Sequence, residues 1–447
     1  MIVMKFGGSS VESAAAIERV TGIVKSRLDR RPVVVVSAMG KTTNKLLAIA
    51  EAAVLGERDQ ALTQLFELRD FHLRESGMER TVEQHFQELA ELVKGLSILG
   101  ELTPRSIDAI SSFGERLSSL IVANHFQKHG LAAAVHVDAR KLIVTDSRHT
   151  HANPLYPETY ARLAETIPPL VQDRVVVMGG FIAANAKGIG TTLGRGGSDF
   201  TAAIVGAGIG AEEIQIWTDV DGMLTCDPTI HPGGHRVKRI SFAEAAELAY
   251  FGAKVLHPAT VIPAIDKNIP LRILNSRRPE GEGTVITAES VPSSNIVKSI
   301  ACKKKVTVLN IRSLRMFMVH GFLRRIFEVF DRFETSVDMV STSEVTVSVT
   351  IDRTDRLPEL LEELRQFSDV DVLDNQAIIC LVGEKIPLTA GVGVRIFKAL
   401  GSVNARMVSE GASSMNMGFV VDAKELGQAV ESLHREFFGE LDPEVFE

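Results

Sequence analysis

The chain has 447 residues, a length that predicts about two or three domains rather than one ordinary core. An apolar fraction of 45% and a charged fraction of 23% exclude a disordered chain. The net charge of −7, with both signs interspersed, excludes the basic face of a nucleic-acid binder. The longest apolar runs have the length of strands and are too short to span a membrane. Three isolated cysteines and an N-terminus without a signal-peptide pattern predict a cytoplasmic protein.

Up to about residue 290, short apolar strands alternate with amphipathic helices, which predicts an α/β domain with a largely parallel sheet. The predicted strands span residues 1–5, 32–37, 134–138, 174–179, 214–218 and 271–274. Residues 57–130 form a long helical region that we expect to act as a lid or a wall over a site. Residues 275–293 are polar, glycine-rich and aperiodic, and they predict a surface connection.

The rest of the chain repeats itself. The first copy is predicted to contain a strand at 305–311, a helix at 321–333, strands at 336–342 and 345–351, and a helix at 357–367. The second copy runs through the corresponding segments 377–383, 393–400, 403–409, 415–421 and 424–437. A fourth strand, 370–373, is predicted only after the first copy. Such βαββα units are typical of ferredoxin-like modules and by themselves indicate no function.

The first strand leads directly into the stretch KFGGSS, which starts at Lys5. Adjacent glycines let a backbone approach a ligand closely, and a lysine beside the N–H groups of a helix start favours a phosphate. The order differs from the phosphate loop G-x-x-x-x-G-K-[ST], because here the lysine precedes the glycines. A plain tight turn is the alternative interpretation.

A second stretch, TTLGRGGSDF, spans residues 191–200 and combines backbone donors, the guanidinium of Arg195 and the carboxylate of Asp199. A guanidinium suits a carboxylate or phosphate partner. The alternative is that Ser198 or Asp199 simply caps the following helix.

Two further stretches carry charged residues at predicted strand or helix ends. The loop WTDVDGMLTCDP, residues 217–228, holds three aspartates that either contact a nucleotide and Mg²⁺ or serve turns. The segment FGAKVLHP, residues 251–258, carries Lys254, which is otherwise an ordinary surface charge. Three cations suited to phosphate, together with no G-x-G-x-x-G at the first strand, favour phosphoryl transfer over hydride transfer.

The motifs KFGGSS, VVVSAMGKTTN (34–44), FGERLSS (113–119), TTLGRGGSDF, WTDVDG and YFGAKVLHP, in this order, resemble the aspartokinases of the amino-acid kinase superfamily. The C-terminal repeat is similar to the paired ACT modules of that family, most of all in its lysine-regulated form without a fused dehydrogenase. The resemblance implies an α/β amino-acid kinase fold, a mostly parallel sheet between helices, over residues 1–290. Two ferredoxin-like ACT domains would follow at 300–375 and 376–447, the second able to intertwine with the first.

The resemblance implies transfer of the ATP γ-phosphoryl group to the side-chain carboxylate of L-aspartate, with Mg²⁺ carried by ATP and no further protein-bound metal. The product is 4-phospho-L-aspartate, at the entry to lysine, threonine and methionine synthesis. The implied catalytic residues are Lys5, Asp199 and Lys254. The implied nucleotide contacts are Lys5, Gly7, Gly8, Ser9, Thr218, Asp219, Leu224, Asp227, Thr229, Lys254 and Val255. The implied aspartate contacts are Thr43, Glu115, Arg195 and Ser198, with Arg195 on a carboxylate and Glu115 on the α-ammonium.

The sequence departs from the family on the nucleotide side. Leu224 stands where many relatives carry an aromatic residue, and Thr229 stands where an arginine is usual. Arg236 is one candidate for the missing cation.

For the repeat, the resemblance implies an effector pocket with two walls. One wall is Met316, Val319, Gly321, Phe322 and Leu323, and the other is Ser336, Val337, Asp338, Thr342, Ser343 and Glu344. Backbone groups near Gly321 would take the effector's carboxylate. Asp338 and Glu344 would take ammonium groups, which favours lysine over threonine, unless both are simply exposed strand ends. Binding at an interface between ACT domains implies a homodimer or tetramer that shifts between two states.

Two other functions stay open on the sequence. One is a kinase of another carboxylate or of a carbamate, against which FGERLSS and the paired repeat argue. The other is an amino-acid sensor without catalysis, against which Lys5, Arg195, Asp199 and Lys254 argue, because a sensor needs none of them.

Overall fold

The computed structural model describes residues 1–131, 133–252, 260–313, 320–410 and 413–447. The chain folds into two compact units. The first unit is Met1–Met223 with Leu256–Ala288, and the second is Leu224–Val255 with Glu289–Glu447. Within the described ranges, every helix is too short or too polar to cross a bilayer.

The strands and helices are numbered in chain order. The strands are β1 (Ile2–Phe6), β2 (Pro32–Val36), β3 (Ala134–His136), β4 (Val144–Thr145), β5 (Val175–Gly179), β6 (Ile182–Asn185), β7 (Gly190–Thr192), β8 (Glu213–Thr218), β9 (Arg239–Ser241), β10 (Leu271–Asn275), β11 (Thr284–Thr287), β12 (Ser299–Arg312), β13 (Val340–Thr342), β14 (Thr346–Ile351), β15 (Asp369–Val382), β16 (Met407–Glu410) and β17 (Asn416–Asp422). The helices are α1 (Ala14–Lys25), α2 (Thr42–Val54), α3 (Arg58–Ser76), α4 (Glu79–Leu99), α5 (Pro104–Ser111), α6 (Phe113–Lys128), α7 (Tyr156–Leu170), α8 (Gly197–Ile209), α9 (Phe242–Tyr250), α10 (Ile262–Asp266), α11 (Phe322–Arg332), α12 (Leu357–Leu364), α13 (Val392–Leu400) and α14 (Leu426–Phe438).

The first unit is built on a sheet in which β3, β5, β2, β1, β8, β10 and β11 lie side by side in that order. Neighbours from β3 to β10 are parallel, and β11 runs antiparallel to β10. Every residue of β1 and β2 is buried, as expected for parallel strands covered on both faces. The prediction of a largely parallel α/β domain is confirmed, and each of the six predicted strands is present with ends shifted by a residue or two.

The predicted helical region 57–130 contains α3, α4, α5 and α6. Leu65 of α3 and Phe86 of α4 belong to the same buried cluster as Met4 of β1 and Phe126 of α6. Burying one such side chain stabilises the fold by about 1.5–3 kcal/mol. The region is therefore a wall that shares the core of the unit.

The predicted surface connection 275–293 is wrong in its middle. Thr284–Thr287 forms β11, with Thr284 opposite Ile273 of β10 and Ile286 fully buried. The segment TVIT alternates buried and half-buried residues, but its polar, glycine-rich flanks hide this short period in the sequence. Gly283 makes the turn possible, since a Cβ there would lie 1.9 Å from the carbonyl oxygen of Ile273.

The second unit contains a sheet in the order β13, β14, β12, β15, β17, β16. At its centre β12 and β15, each 14 residues long, run antiparallel from Ser299 opposite Val382 to Arg312 opposite Asp369. The first copy of the repeat uses the C-terminal half of β12 and the N-terminal half of β15 as its first and fourth strands. The second copy begins with the C-terminal half of β15.

The fourth strand predicted after the first copy is the N-terminal half of β15, and no strand follows the second copy within the described residues. The start of β12, Ser299–Lys303, pairs with Ile378–Val382 and takes the place of a fourth strand beside the second copy. It precedes both copies in the sequence, so an inspection of the residues after the second copy cannot find it. The separate strands predicted at 370–373 and 377–383 are likewise one continuous strand.

Candidate active site and effector site

The carboxyl ends of β1, β2, β5 and β8 meet at one edge of the first unit's sheet. Phe6, the last residue of β1, lies opposite Val36 of β2 and Trp217 of β8. Val36 in turn lies opposite Gly179, the last residue of β5. Ligands of open parallel sheets bind at this edge, because the loops that follow neighbouring strands converge there.

Lys5 and Asp199 form an ion pair at this edge. Lys5 Nζ lies 2.7 Å from Asp199 Oδ1, and the two side chains are only 11% and 15% exposed. A Cβ on Gly7 would lie 3.7 Å from the same Nζ, so the ammonium group sits beside the glycine turn. Asp199 comes from the first turn of α8, whose N-cap is Gly196 without a side-chain cap. The alternative that Ser198 or Asp199 caps this helix is therefore wrong.

The glycine turn is a close approach between two backbones. A Cβ on Gly8 would lie 2.7 Å from the carbonyl oxygen of Gly40, and Gly40 N donates to the carbonyl oxygen of Gly8 at 3.0 Å. Gly8–Ser10 forms a short 3-10 turn, and α1 begins only at Ala14. The helix predicted after this stretch is α1, and Ser13 rather than Ser9 or Ser10 caps it by accepting a hydrogen bond from Ala16 N.

The two serines of this turn differ in exposure. Ser9 is half-buried. Ser10 is 2% exposed, and its hydroxyl lies 2.8 Å from that of Ser276. Ser10 is thus satisfied inside the unit, which leaves Ser9 as the hydroxyl that a ligand can reach.

Glu115 is a buried carboxyl group at the start of α6. It is 4% exposed, and its Oε1 accepts a hydrogen bond from Ala38 N at 3.1 Å. Its Oε2 is buried and finds no hydrogen-bond partner among the described residues. Burial raises the pKa of Glu115 to about 8. A buried carboxyl oxygen without a donor suits a ligand that brings its own positive charge.

Two consecutive glycines let Glu115 and Ser198 approach the same short stretch of backbone. A Cβ on Gly179 would lie 2.9 Å from the carbonyl oxygen of Glu115, and a Cβ on Gly180 would lie 2.8 Å from Ser198 Cα. Thr43 joins them, because a Cβ on Gly114 would lie 3.4 Å from Thr43 Oγ1. The glycine pair was not predicted from the sequence, although VVVMGG repeats the pattern of a buried strand followed by two glycines seen in IVMKFGG.

Arg195 precedes α8, and Thr218 and Asp219 lie at the end of β8. Arg195 is exposed and makes no ion pair with any residue that the structure describes. Thr218 Oγ1 donates to Asp219 Oδ1 at 3.2 Å, and Asp219 is exposed. Because Arg195 is exposed and has no ion-pair partner among the described residues, its guanidinium is available to an anionic ligand.

The other predicted nucleotide contacts belong to the second unit or lie outside the described residues. The carbonyl oxygen of Leu224 accepts from Ser299 Oγ at 2.7 Å. Asp227 Oδ1 accepts from Thr229 N at 2.8 Å, so the turn-forming role kept as an alternative holds for this atom. Arg236 is paired with Glu447, so the candidate for the missing cation already has a carboxylate partner. Lys254 and Val255 lie outside the described residues.

The predicted effector residues divide into buried and exposed groups. Phe322 lies in the core of the first repeat copy and Val337 packs against that core. The exposed members are Gly321, Leu323, Ser336, Thr342, Ser343 and Glu344. Met316 and Val319 lie outside the described residues.

Asp338 differs from the exposed members. Its side chain is 5% exposed and its Oδ1 accepts from Lys303 Nζ at 2.6 Å. It is therefore not an exposed strand end, and the observed strand β13 begins only after it, at Val340.

Within the described residues, one cluster could offer three metal ligands: Glu18, His125 and His129. The two imidazole rings are stacked, with their centroids 4.0 Å apart and their planes 7° from parallel. Imidazole binds a metal through a lone pair in the ring plane, so two stacked rings do not aim at one ion. Glu18 Oε2 lies 2.8 Å from His125 Nε2 instead, and the cluster is a surface hydrogen-bond group.

Two domain families match parts of the chain. The Amino acid kinase family matches residues 1–275, and an ACT domain matches residues 379–437. Aspartokinase 2, chloroplastic, of Arabidopsis thaliana is 42% identical over 464 residues, which cover 99% of this chain and 85% of the relative. The chain belongs to the aspartokinases. The family and the fold predicted from the motifs are thereby confirmed.

Lysine-sensitive aspartokinase 3 of Escherichia coli is 35% identical to this aspartokinase over 98% of the chain and 99% of the relative. The crystal structure of E. coli aspartokinase III in complex with aspartate and ADP, in its R-state, matches with a TM-score of 0.84 at 34% identity. It covers 98% of this aspartokinase and 100% of that chain. The complex with lysine and aspartate, in the T-state, matches with a TM-score of 0.85 at 34% identity, covering 98% and 99%.

Proposed function

We propose that this aspartokinase binds and phosphorylates aspartate at the edge where β1, β2, β5 and β8 end. As a member of its family, the chain is a kinase that uses ATP to convert L-aspartate to 4-phospho-L-aspartate, and it is regulated by lysine. The observation that carries the location is the buried pair of Lys5 and Asp199 beside the glycine turn. It supports this location, because a fixed cation beside the glycine turn would attract a phosphoryl group.

The chemical step needs positioning and charge neutralisation more than a base. The attacking group is a carboxylate that is already ionised at neutral pH, so no proton has to be removed from it. Lys5 would offset the charge of the transferring phosphoryl group, and Asp199 would keep the ammonium group in place. Lys254 is proposed, from the resemblance alone, as the second catalytic lysine.

The charges of aspartate match the groups around Gly179 and Gly180. The buried, unpaired Oε2 of Glu115 would accept the α-ammonium group. Arg195 would pair with a carboxylate, for which its forked donors are suited. The hydroxyls of Thr43 and Ser198 would supply the remaining hydrogen bonds.

Nucleotide binding is proposed at the same edge. Gly7, Gly8 and Ser9 would face the phosphates, and Thr218 with Asp219 would extend the contact. Leu224, Asp227, Thr229 and Val255 are proposed from the resemblance alone. Mg²⁺ takes oxygen ligands and dehydrates reluctantly, so phosphate oxygens would provide most of its shell. Asp199 is the carboxylate nearest Lys5 but already holds that ammonium, which fits a metal carried by ATP rather than one bound by the protein alone.

We further propose residues 1–290 as the catalytic domain and 300–375 and 376–447 as two ACT domains that associate into a homodimer or tetramer. The edge strand β13 supports association, because all three of its residues are exposed and unpaired strand edges invite pairing with another chain. A cytoplasmic location stays a prediction, since the relatives include chloroplastic forms.

The test is an assay of ADP release with L-aspartate, L-glutamate or N-acetylglutamate as acceptor, each with and without lysine or threonine. We expect turnover with aspartate only, inhibited by lysine more strongly than by threonine. Turnover with glutamate in place of aspartate would contradict the proposal. So would an enzyme that binds lysine but releases no ADP with any acceptor, which would be a sensor.

A further inference from the structure

Lys303, Asp338 and Asp352 form a charged cluster in the second unit, which we call the charged triad. Lys303 Nζ lies 2.6 Å from Asp338 Oδ1 and 2.8 Å from Asp352 Oδ2. The exposed fractions of the side chains are 20% for the lysine, 5% for Asp338 and 36% for Asp352. The ring of Tyr250 completes the surroundings, with its centroid 6.0 Å from Nζ.

The charged triad lacks one positive charge. Two carboxylates face a single ammonium group, which leaves one negative charge uncompensated. Asp338 Oδ2 is buried and finds no hydrogen-bond partner among the described residues. A buried carboxylate oxygen without a donor is unfavourable, because it has lost its hydrogen bonds to water. A cation that donates a hydrogen bond to Asp338 Oδ2 would both compensate the remaining negative charge and give this oxygen a partner.

We infer that Lys303 is a positioning residue of the effector site, which holds Asp338 through Oδ1 so that the free Oδ2 accepts an ammonium group of lysine. The inference rests on the proposed regulation by lysine and adds one residue, Lys303, that the family resemblance does not supply. Lys303 occupies Oδ1 only, so the effector can bind without displacing it. A bound ammonium group brings the charged triad to neutrality.

In the alternative arrangement, Lys303 competes with the effector for Asp338 and must leave before the effector binds. The geometry speaks against it, because the two carboxylate oxygens of Asp338 are separate acceptors and one is empty. Removing Lys303 distinguishes the two arrangements. A positioning role predicts weaker inhibition, and a competitor predicts stronger inhibition.

Inhibition by lysine should depend on pH when Lys303 is removed, because the effector needs Asp338 as a hydrogen-bond acceptor. Burial raises the pKa of Asp338, and Lys303 opposes this by lowering it. The groups that face the carboxyl are Lys303 from β12, Asp352 after β14 and Tyr250 from α9. Without Lys303, the carboxyl is protonated up to a higher pH, and a protonated carboxyl is a poor acceptor for an ammonium group.

The experiment measures inhibition of the full-length enzyme by lysine, and lysine binding by calorimetry, between about pH 6.5 and pH 8, where lysine keeps its charge. The variants are Lys303→Met, Lys303→Arg and Asp352→Asn. Lys305→Met is the matched control, because Lys305 is an exposed lysine on the same strand. Activity without lysine is recorded for each variant and should equal that of the wild type.

We expect Lys303→Met to raise the half-inhibiting lysine concentration about tenfold or more at pH 6.5, the loss that a hydrogen bond to a charged group produces. The deficit should shrink toward pH 8, Lys303→Arg should restore wild-type inhibition, and Lys305→Met should change nothing. Asp352→Asn should keep binding within a few-fold, since Lys303 still holds Asp338. Unchanged or stronger inhibition of Lys303→Met would overturn the inference alone. A wild-type enzyme that does not bind lysine would overturn the proposed effector and this inference with it.

Discussion

Lys5 Nζ lies 2.7 Å from Asp199 Oδ1, which joins the end of the first strand to the first turn of α8. Neither side chain is more than 15% exposed, so the pair is shielded from the screening that makes surface ion pairs weak. A shielded lysine that is already oriented can stabilise phosphoryl charge without reorganising during the reaction.

Replacing either member of this pair should slow the chemical step. We expect Lys5→Met to lower kcat by about 10²–10³-fold, the usual loss on removing one preorganised charge contact. Asp199→Asn should lower kcat less, because it frees the lysine rather than removing it. Initial-rate measurements at saturating aspartate and ATP test both.

Lys187→Met is the matched control, since Lys187 is an exposed lysine of the first unit. It should retain wild-type kcat. Full turnover by Lys5→Met, with folding verified by circular dichroism, would show that Lys5 does not act in the reaction.

Glu115 should make aspartate binding depend on pH. Because burial raises the pKa of Glu115 to about 8, the carboxyl is protonated at pH 7 in the free enzyme. An ammonium group at Oε2 favours the ionised form, so binding should release a proton. The KM for aspartate should therefore fall as pH rises toward 8, by up to about tenfold per pH unit. Steady-state kinetics measure this profile, and calorimetry in buffers of different ionisation enthalpy measures the released proton.

The raised pKa of Glu115 also makes the free energy of unfolding depend on pH. Between about pH 4.5 and pH 8 the folded chain holds a proton on Glu115 that the unfolded chain has lost. The free energy of unfolding should fall as pH rises through this window, by up to about 1.4 kcal/mol per pH unit from this group. Glu115→Gln should remove this slope and flatten the KM profile. A KM profile in the variant that still follows the wild type would rule out Glu115 as the ammonium partner.

Much of the first unit could be predicted because its signals are local. Runs such as PVVVV have the composition of buried parallel strands, and the glycines and charges follow those strands directly in the sequence. The close approach of Gly180 to Ser198 could not be predicted, because it depends on which strands become neighbours and how closely the start of α8 approaches the turn after β5. The position of Ser10 was missed for a related reason, since its partner Ser276 is distant in the chain.

In the second unit the repeat itself was visible, but the exchange between its copies was not. The local pattern predicts β15 as two separate strands and predicts only the C-terminal half of β12. The charged triad has the same origin. Lys303 is one of three consecutive lysines in the sequence, and only the pairing of β12 with β14 and the path of the chain around Asp338 bring it beside two aspartates.

Gly180→Ala should weaken aspartate binding through its neighbours. The new Cβ would lie 2.8 Å from both Cα and Cβ of Ser198, so α8 or β5 must shift. Overpacking of this kind costs about 1–3 kcal/mol of stability. We expect a lower melting temperature and a raised KM for aspartate, with a smaller change in the KM for ATP.

Gly22→Ala is the control for that substitution. Gly22 lies inside α1 with nothing within 4 Å of a new Cβ, so alanine should raise the free energy of unfolding by about 0.5–1 kcal/mol. Equal destabilisation by the two substitutions would mean that the close approach at Gly180 is not what matters.

A buried ion pair in the second unit, between Lys298 and Glu244, involves a residue that caps α9. Lys298 Nζ lies 3.1 Å from Glu244 Oε1, and the side chains are 2% and 0% exposed. Glu244 also forms the capping box of α9 with Ser241.

Lys298→Met leaves a buried carboxylate without its cation, which should cost about 3–5 kcal/mol in the free energy of unfolding. The double variant Lys298→Met/Glu244→Gln should recover much of that loss, because the amide oxygen can still cap the helix without a charge. Chemical denaturation of the wild type, both single variants and the double variant measures the coupling, and a double variant no more stable than Lys298→Met would show that the charge is not the cause.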